Sequence, residues 1–297
     1  MVAGPTRISL YVPAFNGERY IASCITAILA QTLPPDEVLI VDDGSSDRTT
    51  EIAGRFPVTI IRHEVNRGLA AARNTGLRNA RNNLVASLDQ DCVAAPDWLE
   101  QLSARFPGDR TALGGGRLEE GAQRTAADRF RKLHVRGDFG TESKVNPWFV
   151  HGSNTLARKD AIAAVGWYDE RFWTSYEDVD ISERLRAGAY NLYYEPSAVV
   201  YHIKQDDNHS VLRTLWRYNR LGYRRAINLP NVLSRVVQNT AWSIRCVMSD
   251  LRSEDWGVLR LDLIFPVYFA RWDWRLLLET RASASAEGGR KRISRFC

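Results

Sequence analysis

No apolar run in these 297 residues approaches the ~20 that a membrane span needs, and the longest, 263–270, is short and interrupted by Pro266. Spanning helices are therefore excluded. Cysteine is scarce: Cys24, Cys92, Cys246 and Cys297 show neither C-x-x-C spacing nor a disulfide framework. Cys24, in an apolar helical stretch, reads as a buried reduced thiol. The first seven residues lack the apolar core of a signal peptide, so the expectation is a soluble, cytoplasmic protein. Positive charge is only in slight excess, net +5 with pI 9.1. That suits acidic ligands. No basic, aromatic-interleaved module occurs in the first two hundred residues, so no nucleic-acid partner is expected. Internal repeats are missing, and low complexity is confined to the last fifteen residues.

What is present is a 44% hydrophobic fraction, enough for a sizeable core. Apolar runs at 8–12, 37–41, 58–62 and 84–88 alternate with helical patterns at 20–30, 49–55 and 69–80. This alternation predicts right-handed parallel crossovers and a doubly wound sheet. After Pro107 the pattern loosens. Residues 112–118, 148–150, 154–157, 192–194 and 198–201 read as strands, and 124–135 and 178–186 as helices.

Two of the strands end in acids. The first run closes on Asp42-Asp43-Gly44-Ser45-Ser46-Asp47, the second on Asp89-Gln90-Asp91. Open α/β sheets bind ligands beyond the carboxyl ends of their strands. Ser45, Ser46 and Asp47 are also good helix N-caps, so the first turn alone decides nothing. The i, i+2 spacing of Asp89 and Asp91 puts both carboxylates on one face of extended backbone. Hard cations such as Mg²⁺ need only one or two such oxygens, keeping waters and bridging to phosphates.

The chain resembles the family 2 glycosyltransferases. The matching segments run in family order: Val12-Pro13-Ala14-Phe15-Asn16-Gly17-Glu18, Val41-Asp42-Asp43-Gly44-Ser45, Asn66-Arg67-Gly68, Ala72-Arg73-Asn74, Asp89-Gln90-Asp91, then Gly166-Trp167-Tyr168-Asp169-Glu170-Arg171-Phe172 and Tyr176-Glu177-Asp178-Val179-Asp180. They cover roughly 6–203. The resemblance implies a GT-A fold, with a catalytic domain over 1–207 (donor half about 1–107, acceptor half about 108–207). A helical extension with a basic tail would follow over 208–297.

The resemblance also implies roles. Asp43 would accept the imino N–H of a uracil, thymine or guanine base, since a carboxylate is acceptor-only. Pro13, Phe15, Glu18, Asn66, Arg73, Asp89 and Gln90 would line the donor site, with Asp91, Asp89 and His202 holding Mn²⁺ or Mg²⁺. Asp178 would be the catalytic base, capped by Ser175 and favoured as an anion by its helix N-terminus. Glu177 is the acid most easily confused with it. Trp148, Trp173 and Glu177 are the candidate acceptor-binding residues, the two indoles by stacking, although large aromatics in such loops are more often core.

In the last ninety residues, 211–225, 232–250 and 256–280 read as helices, the last broken near Pro266. Arg213, Arg217, Arg220 and Arg224 form one stripe, flanked by Trp216 and Tyr223. An anionic membrane surface, reached from the cytoplasmic side, and a plain packed appendage explain this equally. The tail 290–295 reads as disordered.

The leading expectation is a transferase moving one sugar, with inversion, from a UDP-, dTDP- or GDP-linked donor to a glycan or lipid-linked acceptor in surface polysaccharide or glycoconjugate synthesis. A processive polymerase would carry spanning helices and a Gln-x-x-Arg-Trp motif, both missing. A sugar nucleotidyltransferase would need a long Gly-rich phosphate loop with a basic residue, and 12–18 holds one Gly and no Lys. A catalytically silent sugar-nucleotide-binding domain would lack the paired acids or the base.

Overall fold

All seven residues of strand β1 (Ile8–Ala14) are buried, as expected of a strand covered on both faces. In the computed structural model, which describes residues 7–104, 106, 110–121, 123–135, 139–222 and 227–286, β1 lies between two parallel neighbours. These are β2 (Glu37–Asp42) and β4 (Leu84–Leu88), and β3 (Thr59–Arg62) extends the sheet beyond β2. Helix α1 (Ile21–Leu29) buries Ile21, Cys24, Ile25 and Ile28, one face at helical spacing. Helices α2 (Thr49–Ala53) and α3 (Leu69–Asn79) complete this half.

The second half makes the sheet mixed. β5 (Cys92–Ala94) and α4 (Trp98–Ala104) precede the long β6 (Thr111–Glu120), and β8 (Asn154–Arg158) runs antiparallel to both β4 and β6. β9 (Asn191–His202) is parallel to β6 and antiparallel to β5. The strand order is β3-β2-β1-β4-β8-β6-β9-β5, with β7 (Lys144–Val145) added on β9. Helices α6 (Lys159–Ala164) and α7 (Glu177–Ala187) pack with this half. The two runs read at 192–194 and 198–201 are one strand. Its register against β6 jumps from Glu195 to Val199, so Pro196 sits in the bulge, where its missing N–H breaks no ladder bond. Residues 148–150 are not a strand; pairing falls instead at Lys144–Val145.

The chain divides into two compact units, 1–122 with 137–204, and 123–136 with 205–297. The segment read as part of the acceptor half thus belongs with the C-terminal helices. Helix α5 (Ala126–His134) starts at a capping box between Thr125 and Asp128 and buries Ala127 and Phe130. It shares an apolar core with α8 (Asn208–Gly222) and α10 (Trp256–Ala286), and α9 (Leu229–Asp250) belongs to the same unit. α10 is unbroken at Pro266. Proline leaves the carbonyl of residue 262 without its helical donor, and the Ser243 hydroxyl donates to that oxygen at 2.5 Å. Trp216 is buried, its indole N–H bonded to Asp273 at 2.8 Å, so it does not flank an exposed arginine stripe. The side chain of Arg220, all of Tyr223 and Arg224, and the tail 290–295 lie outside the described residues. Among those residues no helix is long and apolar enough to cross a membrane.

Candidate active site

The carboxyl ends of β1, β2 and β4 carry the loops where the acidic motifs lie. At the end of β2, Asp42 accepts from the Ser45 N–H (3.1 Å) and the Thr50 hydroxyl (2.7 Å). Asp43, equally buried, receives the backbone N–H groups of Arg67 (2.9 Å) and Gly68 (2.8 Å) and meets His63 Nδ1 at 2.6 Å. Its carboxylate therefore orders the 66–68 turn. Asn66 adds its side-chain oxygen to the Gly68 N–H at 3.1 Å. Gly68 has φ +93° and a Cβ there would stand 2.9 Å from the Trp173 ring, so glycine is required twice over. The Leu69 N–H donates to the Trp173 carbonyl at 2.7 Å. Trp173 is thus half-buried against this turn, packing as well as facing outward.

The loop after β1 is tied down by two of the proposed donor-site residues. The Gln90 amide pairs with both backbone groups of Phe15, at 3.1 and 2.9 Å. Glu18 accepts the Arg48 N–H at 3.2 Å, while its own N–H donates to Asp47 at 3.0 Å. Phe15 is 43% exposed beside them. Pro13 lies inside β1, opposite Val41, as a buried strand residue.

Arg73 is the hub. Buried on α3, its guanidinium reaches Glu177 (3.1 Å), Asp89 (3.0 Å), the Ser87 hydroxyl (3.1 Å) and the Gly152 carbonyl (2.9 Å). A Cβ on Gly152 would come within 2.7 Å of this guanidinium. The Gly152 N–H in turn donates to Asp178 Oδ2 at 3.2 Å. One charged group therefore connects the acidic end of β4 to the first turn of α7. Burial, then the neighbouring Asp178, pushes Glu177 up to about 7 in spite of Arg73. Helix α7 does not start as read. Its N-cap is Tyr176, at φ +75° with no side-chain cap, and the buried Ser175 hydroxyl has no hydrogen-bond partner among the described residues. A left-handed non-glycine residue costs on the order of 1 kcal/mol, held here next to the two acids.

Of the three metal-ligand candidates, two meet. Asp91 and His202 Nε2 are 3.5 Å apart, while Asp89 is turned to Arg73. The β5–β9 pairing sets this up, because it places Cys92 opposite His202. His202 Nδ1 lies 3.4 Å from Glu120 at the end of β6. Burial opposes charge on this ring, yet Asp91 and Glu120 push it up to about 9, and the same partnership overcomes burial to hold Asp91 near about 2. Two carboxylates around one imidazolium form a site that wants positive charge. The carboxylate oxygens suit Mn²⁺ or Mg²⁺, and a bound cation would displace the His202 proton and free its imidazole nitrogen as a further donor, so these residues fit a divalent cation.

Trp148 is 58% exposed and packs edge-on to Phe149. Glu120, Ser87, Gly152 and His63 were not singled out in the sequence. Only Glu120, in an acidic pair closing a strand-like segment, left a signal there.

The family model for glycosyl transferase family 2 matches residues 9–166. Glycosyltransferase AglE of Haloferax volcanii is 31% identical over 206 residues, 66% of this chain and 66% of its own length. The pre-mycofactocin glycosyltransferase of Mycobacterium tuberculosis is 32% identical over 213 residues, 67% of this chain and 44% of its own. The chain thus covers less than two thirds of either relative. Among solved structures, S. aureus TarS 1–349 aligns over 97% of this chain and 94% of its own, with TM-score 0.56 and 16% identity. The mannosyltransferase PcManGT from Pyrobaculum calidifontis, in complex with GDP-Man and Mn²⁺, aligns over 96% and 76%, with TM-score 0.52 and 17% identity. At those identities the likeness concerns the fold.

Proposed function

The chain belongs to glycosyl transferase family 2 and is a glycosyltransferase, and from that premise we propose that it moves a single sugar, with inversion, from a nucleotide-diphospho-sugar to an acceptor hydroxyl. The observation that carries this reading is the Arg73 bridge. It couples Asp89, on the side where the diphosphate would lie, to Glu177, next to the candidate base.

Asp178 takes the acceptor hydroxyl's proton, and the oxygen attacks the anomeric carbon opposite the departing diphosphate. The Gly152 N–H orients the carboxylate for this task. Asp91 and His202 would hold a divalent cation, whose contribution is to neutralise charge on the leaving nucleoside diphosphate. Asp43 and Asn66 shape the 66–68 turn beside the base-binding loop, where the Asp43 carboxylate would take a base N–H. Phe15 and Glu18 line the nucleoside, and Trp148 with Trp173 offers aromatic faces to the acceptor.

The acceptor we assign is a glycan or lipid-linked glycan at an anionic membrane surface, as in surface polysaccharide or glycoconjugate synthesis. Residues 205–297 carry sixteen Lys/Arg against nine Asp/Glu, so all of the net positive charge lies there. In the same unit α9 exposes Leu233, Val237, Ile244 and Met248, and α10 exposes Leu263 and Val267. Exposed apolar helix faces on a cationic unit suit an anionic bilayer.

Incubation with UDP-, dTDP- and GDP-sugars plus Mn²⁺ tests the reading. Release of one nucleoside diphosphate, accelerated by acceptor, is the expected result. Pyrophosphate-dependent formation of a nucleoside triphosphate would assign a nucleotidyltransferase. Binding without turnover would assign a silent domain.

A further inference from the structure

Within the helical unit, three helices direct unlike donor groups at one point. His134 closes α5, Cys246 lies on α9, and Asp262 on α10; the imidazole nitrogen, thiol sulfur and carboxylate oxygen all fall within 4.8 Å of one another. A fourth donor is at hand. Asp250 sits one helical turn after Cys246, on the same face of α9, and its carboxylate is 2.7 Å from His134 Nε2. His134 is also 3.4 Å from Asp262.

Asp262 is the telling residue. It is fully buried, and among the described residues neither carboxylate oxygen has a hydrogen-bond partner. An ionised carboxylate out of water is costly unless it meets a cation or several donors. The surroundings offer few donors. Phe130 and Trp242 stand edge-on to the His134 ring, at 4.8 and 5.4 Å between centroids, closing the site with apolar faces. The backbone beneath Asp262 is pinned, since its carbonyl, released by Pro266, is held by Ser243. A fixed carboxylate, an imidazole and a buried thiol are thus held together, and the His134 ring, already bonded to Asp250 at 2.7 Å, faces the Asp262 carboxylate only at 3.4 Å.

We propose that His134, Cys246 and Asp262, with Asp250 as the fourth ligand, bind a zinc ion that staples α5 to α9 and α10. The donor set selects the metal. Thiolate, imidazole and carboxylate are the ordinary zinc ligands, and four protein donors make a closed, structural site. A sulfur ligand disfavours Mg²⁺ and Ca²⁺, the ions that carboxylate-rich sites prefer. Binding deprotonates the thiol, and that proton leaves to solvent. The consequence is architectural. Helix α5, which the sequence inserts between two segments of the other unit, is clamped to the helices that follow 200 residues into the chain.

The test uses the full chain, stripped with chelator and titrated with Co²⁺ as a spectroscopic substitute. The expected result is a thiolate-to-cobalt absorption band that saturates at one equivalent, is displaced by Zn²⁺, is lost in Cys246→Ser and is kept in Asp91→Ala. Loss of the band in Asp91→Ala would move the metal to the paired-acid site, where Cys92 adjoins Asp91, and would overturn the proposal. So would its persistence in Cys246→Ser, or its failure to appear in the unaltered protein. Should Cys246→Ser not fold, Asp262→Asn serves instead, because it removes the buried charge while keeping the shape. That variant should weaken Zn²⁺ at least tenfold, and unchanged affinity would overturn the assignment. Saturating Zn²⁺ should raise the Tm of the unaltered protein by ~5 °C or more and that of Cys246→Ser by much less.

Discussion

Both units bury charge, but they bury it in different places. In the sheet unit, Arg73 is sealed among Asp89, Glu177, Ser87 and Gly152, where two strand ends and a helix start converge. In the helical unit, Arg131 pairs with Asp128 and Asp206, and Arg235 with Asp273, which also takes the Trp216 indole N–H. Arg131 and Asp128 share α5 and Asp206 precedes α8, while Arg235 on α9 reaches Asp273 on α10. The same physics governs both, since a charge leaves water only beside an opposite charge. The location differs in consequence. Loop convergence sets the network at the strand ends, beside the candidate base Asp178, whose carboxylate takes the Gly152 N–H. A charge pair between helices instead fixes which turn of one faces which turn of the next.

Breaking this contrast starts at the base. Asp178→Asn should lower transfer by about 10²–10⁴ while donor affinity, read by calorimetry, is unchanged, because the amide cannot take a proton. Near-normal turnover in Asp178→Asn with loss in Glu177→Gln would move the base by one residue. Next, Arg73→Met and Arg235→Met should each cost about 3–5 kcal/mol in urea unfolding, since each strands buried carboxylate. Only Arg73→Met should also lose transfer per folded molecule; equal losses in both would erase the functional difference between the two networks.

A pH measurement sharpens the comparison within the sheet unit. Glu177 sits near about 7 when folded, against 4.5 ordinarily, owing first to burial and then to Asp178. A raised carboxyl stabilises below its unfolded value and loses that contribution as pH climbs through its folded value. The stability of the unaltered protein should therefore fall, relative to Glu177→Gln, between pH 5 and pH 8. A constant difference over that interval would show that Glu177 does not titrate there. The smallest expected effect concerns the helical unit's surface. Val237→Asp with Ile244→Asp should release the protein from anionic vesicles, and Arg213→Gln with Arg217→Gln should weaken the association by ~1 kcal/mol per charge. Sedimentation that ignores lipid charge and added salt would remove the membrane from the account.

Strand ends and motif order were legible because parallel strands announce themselves. The unbroken burial of β1 and the acids closing β2 and β4 are local patterns, and each stands at the place where α/β sheets bind ligands. From such patterns the amino-acid sequence determined the family, the α/β half and the identity of the candidate acids. Tertiary structure alone decided their partners. Arg73 reaches Glu177 across 104 positions, and His202 meets Asp91 only because β9 pairs with β5. Cys246, with no ligand spacing in the chain, meets His134 only after three helices pack. The start of α7 at a left-handed Tyr176, the membership of α5 in the helical unit and the unbroken passage of α10 through Pro266 have the same origin. Propensity and spacing act over a few residues. A remote hydroxyl such as that of Ser243, arriving where proline leaves a carbonyl bare, overrides them at a distance that no local pattern records.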